Sequence, residues 1–366
     1  MSPPSDIREF LDALGQAAPW TKAGEWDAVG LQLGDPEASL STVGVCHEVT
    51  DAVTAALEAA PVDLVVSYHP LLFRPARSLT AGPTPEGRVL RLARIGVAVA
   101  SVHTNFDVAP GGTADALAEA LGLEEPIGFG PLHGSPTVKL VTFVPEAEAD
   151  RVLEAGVEVG AARIGSYTHC SFRTSGTGTF YAGRGTKPSV GESERLNREP
   201  EVRLEFVAPR ERLDAVLSAL VAAHPYEEPA YDVYERRGDD GMVGRIGRTD
   251  GLTLAGLAER VVRQLGAASV RCAGDENRLL RSVAVVPGSG SEFIGQAADR
   301  GADAVVTGDI THHRARAALD RGLVMVDPGH VATERPGVRR LEAIVRGIGV
   351  ECRSLLDLDP DPWQRP

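Results

Sequence analysis

The sequence predicts an α/β protein whose bilobed core is interrupted by an inserted α+β domain, and three observations carry that reading. Apolar runs alternate with helical stretches at the start of the chain, the same alternation returns near its end, and the region between has a different order of elements. Alternation of this kind implies βαβ units and a largely parallel sheet.

In the first part, residues 42–46 read as a strand, 51–60 as a helix, 64–67 as a strand, 88–95 as a helical turn or more, and 97–102 as a strand. Pro110-Gly-Gly-Thr113 then breaks the chain, with Thr113 expected to cap a helix over 114–121. Between Pro126 and about Arg245 the character changes. Residues 138–144 read as a strand, 146–156 as a helix, 170–174 with 178–181 as a glycine-rich hairpin, 201–207 as a strand and 210–223 as a helix. A β-α-β-β-α-β order is that of a ferredoxin-like unit. We therefore divide the chain into a first lobe at 1–126, an inserted domain at 127–245 and a second lobe at 246–366. Pro and Gly mark both joins, at Pro126-Ile-Gly-Phe-Gly-Pro131 and Arg236-Arg-Gly-Asp-Asp-Gly241. In the last part, helices are expected over 252–265, 292–301, 314–321 and 341–346, around strands at 282–286, 304–307 and 323–326.

A chain of 366 residues is too long for one ordinary core. With 43% hydrophobic and 24% charged residues it has the composition of a soluble globular protein, and no run is apolar and long enough to cross a bilayer. The opening Met-Ser-Pro-Pro-Ser-Asp is not a signal peptide, so cytoplasmic residence is expected. Cys46, Cys170, Cys272 and Cys352 are widely scattered, which indicates neither a disulfide framework nor a thiolate metal site. The net charge of −14 argues against a nucleic-acid polymer or an anionic membrane as partner, because both need clustered cations. A small ligand, anionic ones included, remains compatible.

Chemistry-bearing residues recur at one kind of place. His103-Thr-Asn-Phe-Asp107 and His330-Val-Ala-Thr-Glu334 each put a histidine four residues before a carboxylate, and His69 follows the apolar run that ends at Tyr68. His69, His103, Asp107, Asp309 and His330 all lie just past expected strand ends, where ligands bind in open α/β sheets. Imidazole and carboxylate together suit zinc, manganese or iron(II). Any one of these histidines more often satisfies a buried carbonyl; the set points to a divided metal site. Pro110 and Pro336 follow the two acids closely, so neither pair is expected within a long helix.

Three other segments carry weaker signals. The turn Val285-Val-Pro-Gly-Ser-Gly-Ser291 follows a strand and opens a helix, so its amides are candidates for phosphate binding, although no lysine accompanies them. Gly183-Arg-Gly-Thr-Lys-Pro188 has the wrong spacing for a P-loop. His224-Pro-Tyr-Glu-Glu228 reads as an ordered loop rather than a second metal cluster.

These site segments, with Trp26-Asp-Ala-Val-Gly-Leu-Gln-Leu-Gly34, Thr307-Gly-Asp309 and Asp327-Pro-Gly-His330, resemble the NIF3-like family, also called GTP cyclohydrolase 1 type 2 homologs. The likeness covers nearly the whole chain. The middle region, notably Ile164-Gly-Ser-Tyr-Thr-His-Cys-Ser-Phe-Arg173 and His224-Pro-Tyr-Glu-Glu-Pro-Ala-Tyr-Asp232, is similar to the insert of longer bacterial members, which resembles CutA1 and PII-like trimeric folds.

The resemblance implies two divalent ions per chain, zinc, manganese or iron, held by His69, Asp107, His330 and Glu334, with Glu334 bridging and His103 a ligand or near neighbour. Tyr68 stands where the family's His-His-Pro motif has its first histidine. It either ligates as phenolate, which a bound dication favours, or leaves the site altered or partly filled. A metal-dependent hydrolase is the implied activity, with Glu334 as candidate orienter of water and His313 as candidate proton-transfer group beside Asp309. Capping of the following helix is an equal alternative for His313 and Asp309. The second expectation is a non-catalytic metal- or nucleotide-sensing scaffold with a PII-like insert. A homohexamer, a dimer of trimers, is the implied assembly.

Overall fold

The computed structural model describes residues 3–132, 137–164, 166–235, 241–358 and 361–363. Most of the second expected join, and Gly165 within the quoted insert segment, lie outside them. The chain divides into two compact units, 1–132 with 241–366, and 133–240.

The first unit holds two sheets. Gly30–Leu33 (β1), Thr42–Cys46 (β2), Leu64–Ser67 (β3) and Ala98–Ser101 (β4) join a strand from the far end of the chain, Glu351–Ser354 (β15), in the order β1-β4-β3-β2-β15. β15, β2, β3 and β4 run parallel, and β1 closes one edge antiparallel. The inner strands are apolar on both faces because helices cover both, and β2, β3 and β4 are almost wholly buried. Phe10 and Leu14 of the helix Ile7–Ala17 pack on one face with Val338, Leu341 and Val345; Val53, Leu57, Val89 and Leu92 pack on the other side of the sheet.

The second sheet contains Glu124–Pro131 (β5), Met242–Thr253 (β10), Arg271–Ala273 (β11), Leu279–Val285 (β12), Ala304–Val306 (β13) and Val324–Asp327 (β14), in the order β11-β14-β13-β12-β10-β5. β12, β13 and β14 are parallel; β11 pairs antiparallel with β14 on one side, and on the other β10 pairs antiparallel with β12 and β5 antiparallel with β10.

The second unit contains Thr137–Val144 (β6), Ser171–Tyr181 (β7), Leu196–Pro209 (β8) and Tyr231–Glu235 (β9), ordered β7-β8-β6-β9, with helices Ala149–Glu158 and Leu213–Ala223. The β-α-β-β-α-β order is present. Val138, Leu140, Val144, Leu204 and Phe206 of the sheet bury against Val152, Leu153, Val216 and Leu220 of the helices. The segment expected to be a hairpin within 170–181 is instead one strand; its partner is β8, and its glycines lie inside it.

Three local expectations are corrected. The helix Thr113–Ala120 is entered through Gly112, and Thr113 is its first residue rather than its cap. The helix expected at 341–346 spans His330–Gly347, with Pro336 inside it. Proline at that depth removes one helical hydrogen bond. The helix persists because Ala332 is buried in the second sheet's core while Val338, Leu341 and Val345 are buried in the first sheet's. In the turn after β12, the amides of Gly288 and Gly290 donate to Thr333 Oγ1 and Thr307 Oγ1, both at 2.8 Å, so they are committed to the fold and not to a phosphate.

Candidate metal centre

The site forms where parallel strands of both sheets end. β2 ends at Cys46 and delivers His47; β3 ends at Ser67 and delivers Tyr68 and His69; β4 leads through Val102 to His103 and Asp107. From the second sheet, β13 leads to Asp309 and β14, through Pro328 and Gly329, to the helix that carries His330 and Glu334. Because that helix begins at His330, its i and i+4 residues share one face.

Glu334 is the centre of the cluster. Its side chain is 5% exposed, and three imidazoles reach it: His47 Nε2 lies 2.7 Å and His69 Nε2 3.1 Å from Oε2, while His330 Nε2 lies 3.0 Å from Oε1. Burial alone would raise this carboxyl's pKa, but hydrogen bonds from His330, His47 and His69 hold it well below the usual carboxylate range. Ligand atoms of His47, His69 and Glu334 all lie within 4.8 Å of one another, so this group could hold a divalent cation.

The orientation of the rings is set from behind. His330 Nδ1 lies 2.7 Å from Asp309 Oδ2, so a proton on Nδ1 leaves the Nε2 lone pair for the centre. Burial lowers the His330 pKa, yet the hydrogen bond and charge of Glu334, then those of Asp309, outweigh it and raise it to about 9. Asp309 takes a left-handed backbone conformation, with φ at 56°, to present that carboxylate. His103 is held likewise: Nδ1 lies 2.9 Å from Asp27 Oδ1, while Asp27 Oδ2 accepts from Thr104 N at 3.1 Å and Thr104 Oγ1 at 2.5 Å. Asp27 comes from the segment ahead of β1.

Tyr68 and Asp107 form a second pair beside Glu334. Tyr68 is fully buried and its hydroxyl donates to Asp107 Oδ1. Desolvation, then the charges of Asp107 and Glu334, lift the phenol well above its ordinary pKa. Desolvation raises the Asp107 carboxyl, the His103 charge pulls it back and the Glu334 charge adds to the rise, so that it titrates at about 6. The Tyr68 ring stacks on His47, with centroids 5.6 Å apart and planes 12° from parallel. His69 is central among the rings, 4.6 Å from His47, 5.1 Å from Tyr68 and from His103, and 5.6 Å from His330.

Of the residues singled out in the sequence, the structure brings His69, His330 and Glu334 into direct contact. Tyr68 and Asp107 sit alongside, and His103 reaches the group through its contact with His69. His313 lies in the exposed first turn of the helix His312–Asp320, with its ring against His312 at 5.5 Å, and no contact among the described residues links it to the cluster. Thr311 caps that helix, so neither His313 nor Asp309 does. The sequence reading missed His47 and Asp27. His47 carries the same signal as His69, a histidine directly behind an apolar strand; Asp27 has no such signal.

Fold and cluster together define an α/β protein with a buried histidine–carboxylate centre at converging strand ends. Its family follows from comparison with known proteins: the chain belongs to the Duf34/NIF3 (NGG1p interacting factor 3) family, whose model matches residues 5–357. It is 37% identical over 339 residues to the GTP cyclohydrolase 1 type 2 homolog of Bacillus subtilis, covering 91% of each chain. The protein of that name from Mycobacterium tuberculosis is 35% identical over 368 residues, covering 98% of this chain and 96% of its own. Among solved structures, a Bacillus cereus protein related to NIF3 matches with a TM-score of 0.66 at 34% identity, over the full length of both chains. Among the described residues no helix is long and apolar enough to cross a membrane.

Proposed function

We propose that this protein is a divalent-metal-dependent hydrolase. The observation that carries the reading is Glu334, a buried carboxylate facing three imidazoles at converging strand ends. The donor set fits the cation: neutral imidazole nitrogens and carboxylate oxygens are ligands for zinc, manganese and iron(II), and second partners already orient His330 and His103. Glu334, His69, His330 and His47 would hold one ion; Asp107, with its neighbour His103, offers the donors for a second. Bound ions of this kind polarise a substrate oxygen and make water more acidic. The chain's own residues supply the rest: Asp309 fixes the His330 ring, Asp27 fixes His103, and Tyr68 holds Asp107.

The name shared by the relatives makes GTP the first substrate to try. The test is turnover of GTP, other nucleotides and phosphoesters by protein loaded with Mn2+, Zn2+ or Fe2+, beside a His330→Ala control. We expect turnover that the substitution abolishes. No turnover, or equal turnover in both proteins, sinks the reading.

A second reading is favoured by the second unit, whose β-α-β-β-α-β order and β7-β8-β6-β9 sheet are those of a ferredoxin-like unit. It contains a cavity of about 740 Å³ lined in part by Phe143, Thr174, Glu201, Arg203, Tyr226 and Glu228. A ligand-sensing scaffold would use that cavity. Glu201, Glu227 and Glu228 against Arg203 alone suit a neutral or cationic small molecule better than a nucleotide. Calorimetry on the full chain with GTP, ATP and spermidine as probes decides: no heat from any of them removes this reading. We further propose that the unit 133–240 is an inserted domain, and we propose cytoplasmic residence and a homohexamer built as a dimer of trimers, the last to be checked by light scattering.

A further inference from the structure

We infer that His47 is the metal ligand this chain uses at the place where Tyr68 leaves none, and that Tyr68 is a positioning residue beside it. The inference rests on the metal reading above.

The two positions are neighbours by construction. β2 and β3 are parallel and in register, with Cys46 opposite Ser67, and the ladder continues one step further as Tyr68 N donates to Cys46 O at 3.0 Å and His69 N to His47 O at 2.8 Å. Residues 47 and 68 therefore leave adjacent strand ends together, and their rings stack. From that shared place they aim at different acids. His47 puts Nε2 2.7 Å from Glu334 Oε2, closer than His69 does, whereas the Tyr68 hydroxyl is turned to Asp107.

The chemistry of the two groups divides the work. Imidazole offers a ready lone pair to a divalent cation, and a phenol that donates its proton to a carboxylate does not. His47 is 8% exposed, so it is nearly as withdrawn from water as the carboxylate it touches. The β2 end thus gives the centre an imidazole where the β3 end gives a phenol. Tyr68 braces one face of the His47 ring and fixes one oxygen of Asp107, which makes the two side chains a matched pair: a histidine at 68 would make the one at 47 dispensable.

The test uses the full-length protein stripped of metal and titrated with Co2+ alone, reading stoichiometry, affinity and the visible d–d spectrum, with circular dichroism to confirm folding. We expect His47→Gln to weaken Co2+ binding by at least about tenfold and to change the spectrum. Adding Tyr68→His to His47→Gln is expected to restore both, whereas Tyr68→Phe keeps the Co2+ count. If His47→Gln does not fold, crystals of the wild type soaked in Co2+ give the answer by anomalous scattering. An ion bonded to His47 Nε2 sustains the assignment, and an ion whose ligands exclude His47 overturns it. Wild-type affinity and spectrum in His47→Gln overturn it as well. A wild type that takes up no Co2+ removes the metal reading itself, whereas one that binds Co2+ without His47 removes only this inference.

Discussion

Gly288 approaches Glu334 so closely that a Cβ on the glycine would stand 2.6 Å from the carboxylate Oε1 and 3.2 Å from His330 Nε2. The turn after β12 is thus the wall against which the carboxylate is held. Gly288 also has a φ of +60°, a conformation that costs a residue with a side chain about 1–2 kcal/mol. Gly288→Ala should therefore lower stability by about 1–3 kcal/mol and, more tellingly, weaken Co2+ binding. Denaturant unfolding and Co2+ titration measure the two effects, and unchanged affinity would falsify the role given to this wall.

The metal-free protein should lose stability in alkali through His330. Its folded pKa of about 9 lies above the unfolded value, so its contribution is complete below about 6.5 and disappears as the pH rises through 9. Glu334 acts in the opposite sense: its depressed pKa gives stability that is present above the ordinary carboxylate range and is lost as acid protonates it. Urea unfolding of wild type and His330→Gln between pH 6 and 10 should show curves that converge at the alkaline end. Parallel curves would count against the ion pair.

Asp27 should set the protonation of His103. Burial lowers the His103 pKa, but the hydrogen bond it donates to Asp27, the charge of Asp107 and the charge of Asp27 raise it overall. Removing the carboxylate in Asp27→Ala should drop that pKa, read from the imidazole resonances of the metal-free protein by NMR. Loss of such an orienting partner also costs roughly 10–100-fold in metal affinity or activity where the histidine is used.

Arg245 tests the core away from the centre. It is 8% exposed, its Nε donates to Asp115 Oδ1 at 2.5 Å, and its Nη1 donates to the carbonyls of Met242 and Gly244. Asp115→Ala leaves a buried cation without its counter-ion and should cost about 3–5 kcal/mol by denaturant unfolding. Asp115→Ala with Arg245→Met should recover much of that. A double variant no better than the single one would show that the guanidinium acts through its carbonyl contacts.

Much of this centre is legible in the sequence because a parallel sheet advertises its ligand-bearing edge: His69, His103 and His330 each stand one to three residues past an apolar strand. His47 obeys the same rule, and Asp51 even follows it at the four-residue spacing of the other pairs, but Asp51 opens the helix Asp51–Ala59 and pairs with Arg91, so the acid that meets His47 comes from the far end of the chain. The helix carrying Glu334 was misread because Pro336 is a local signal against helix, and burial in two cores, which no local window contains, overrides it. The strands missed are β1, β5, β9, β11 and β15, edge strands whose pairing partners, not their own periodicity, define them, and β10, an inner strand whose Gly, Arg and Asp residues break up its apolar pattern. Asp27 was invisible for a related reason: its partner His103 is 76 residues away.

The helix His330–Gly347 begins at the end of β14 and hands the chain to β15, which lies beside β2, the strand that returns His47 to Glu334. The backbone thus makes a closed circuit from one sheet to the other and back, with the Glu334 carboxylate at the point of closure. A sheet that slid or tilted against its neighbour would open the circuit there first, so the distance between His47 and Glu334 is a gauge of how the two sheets are set.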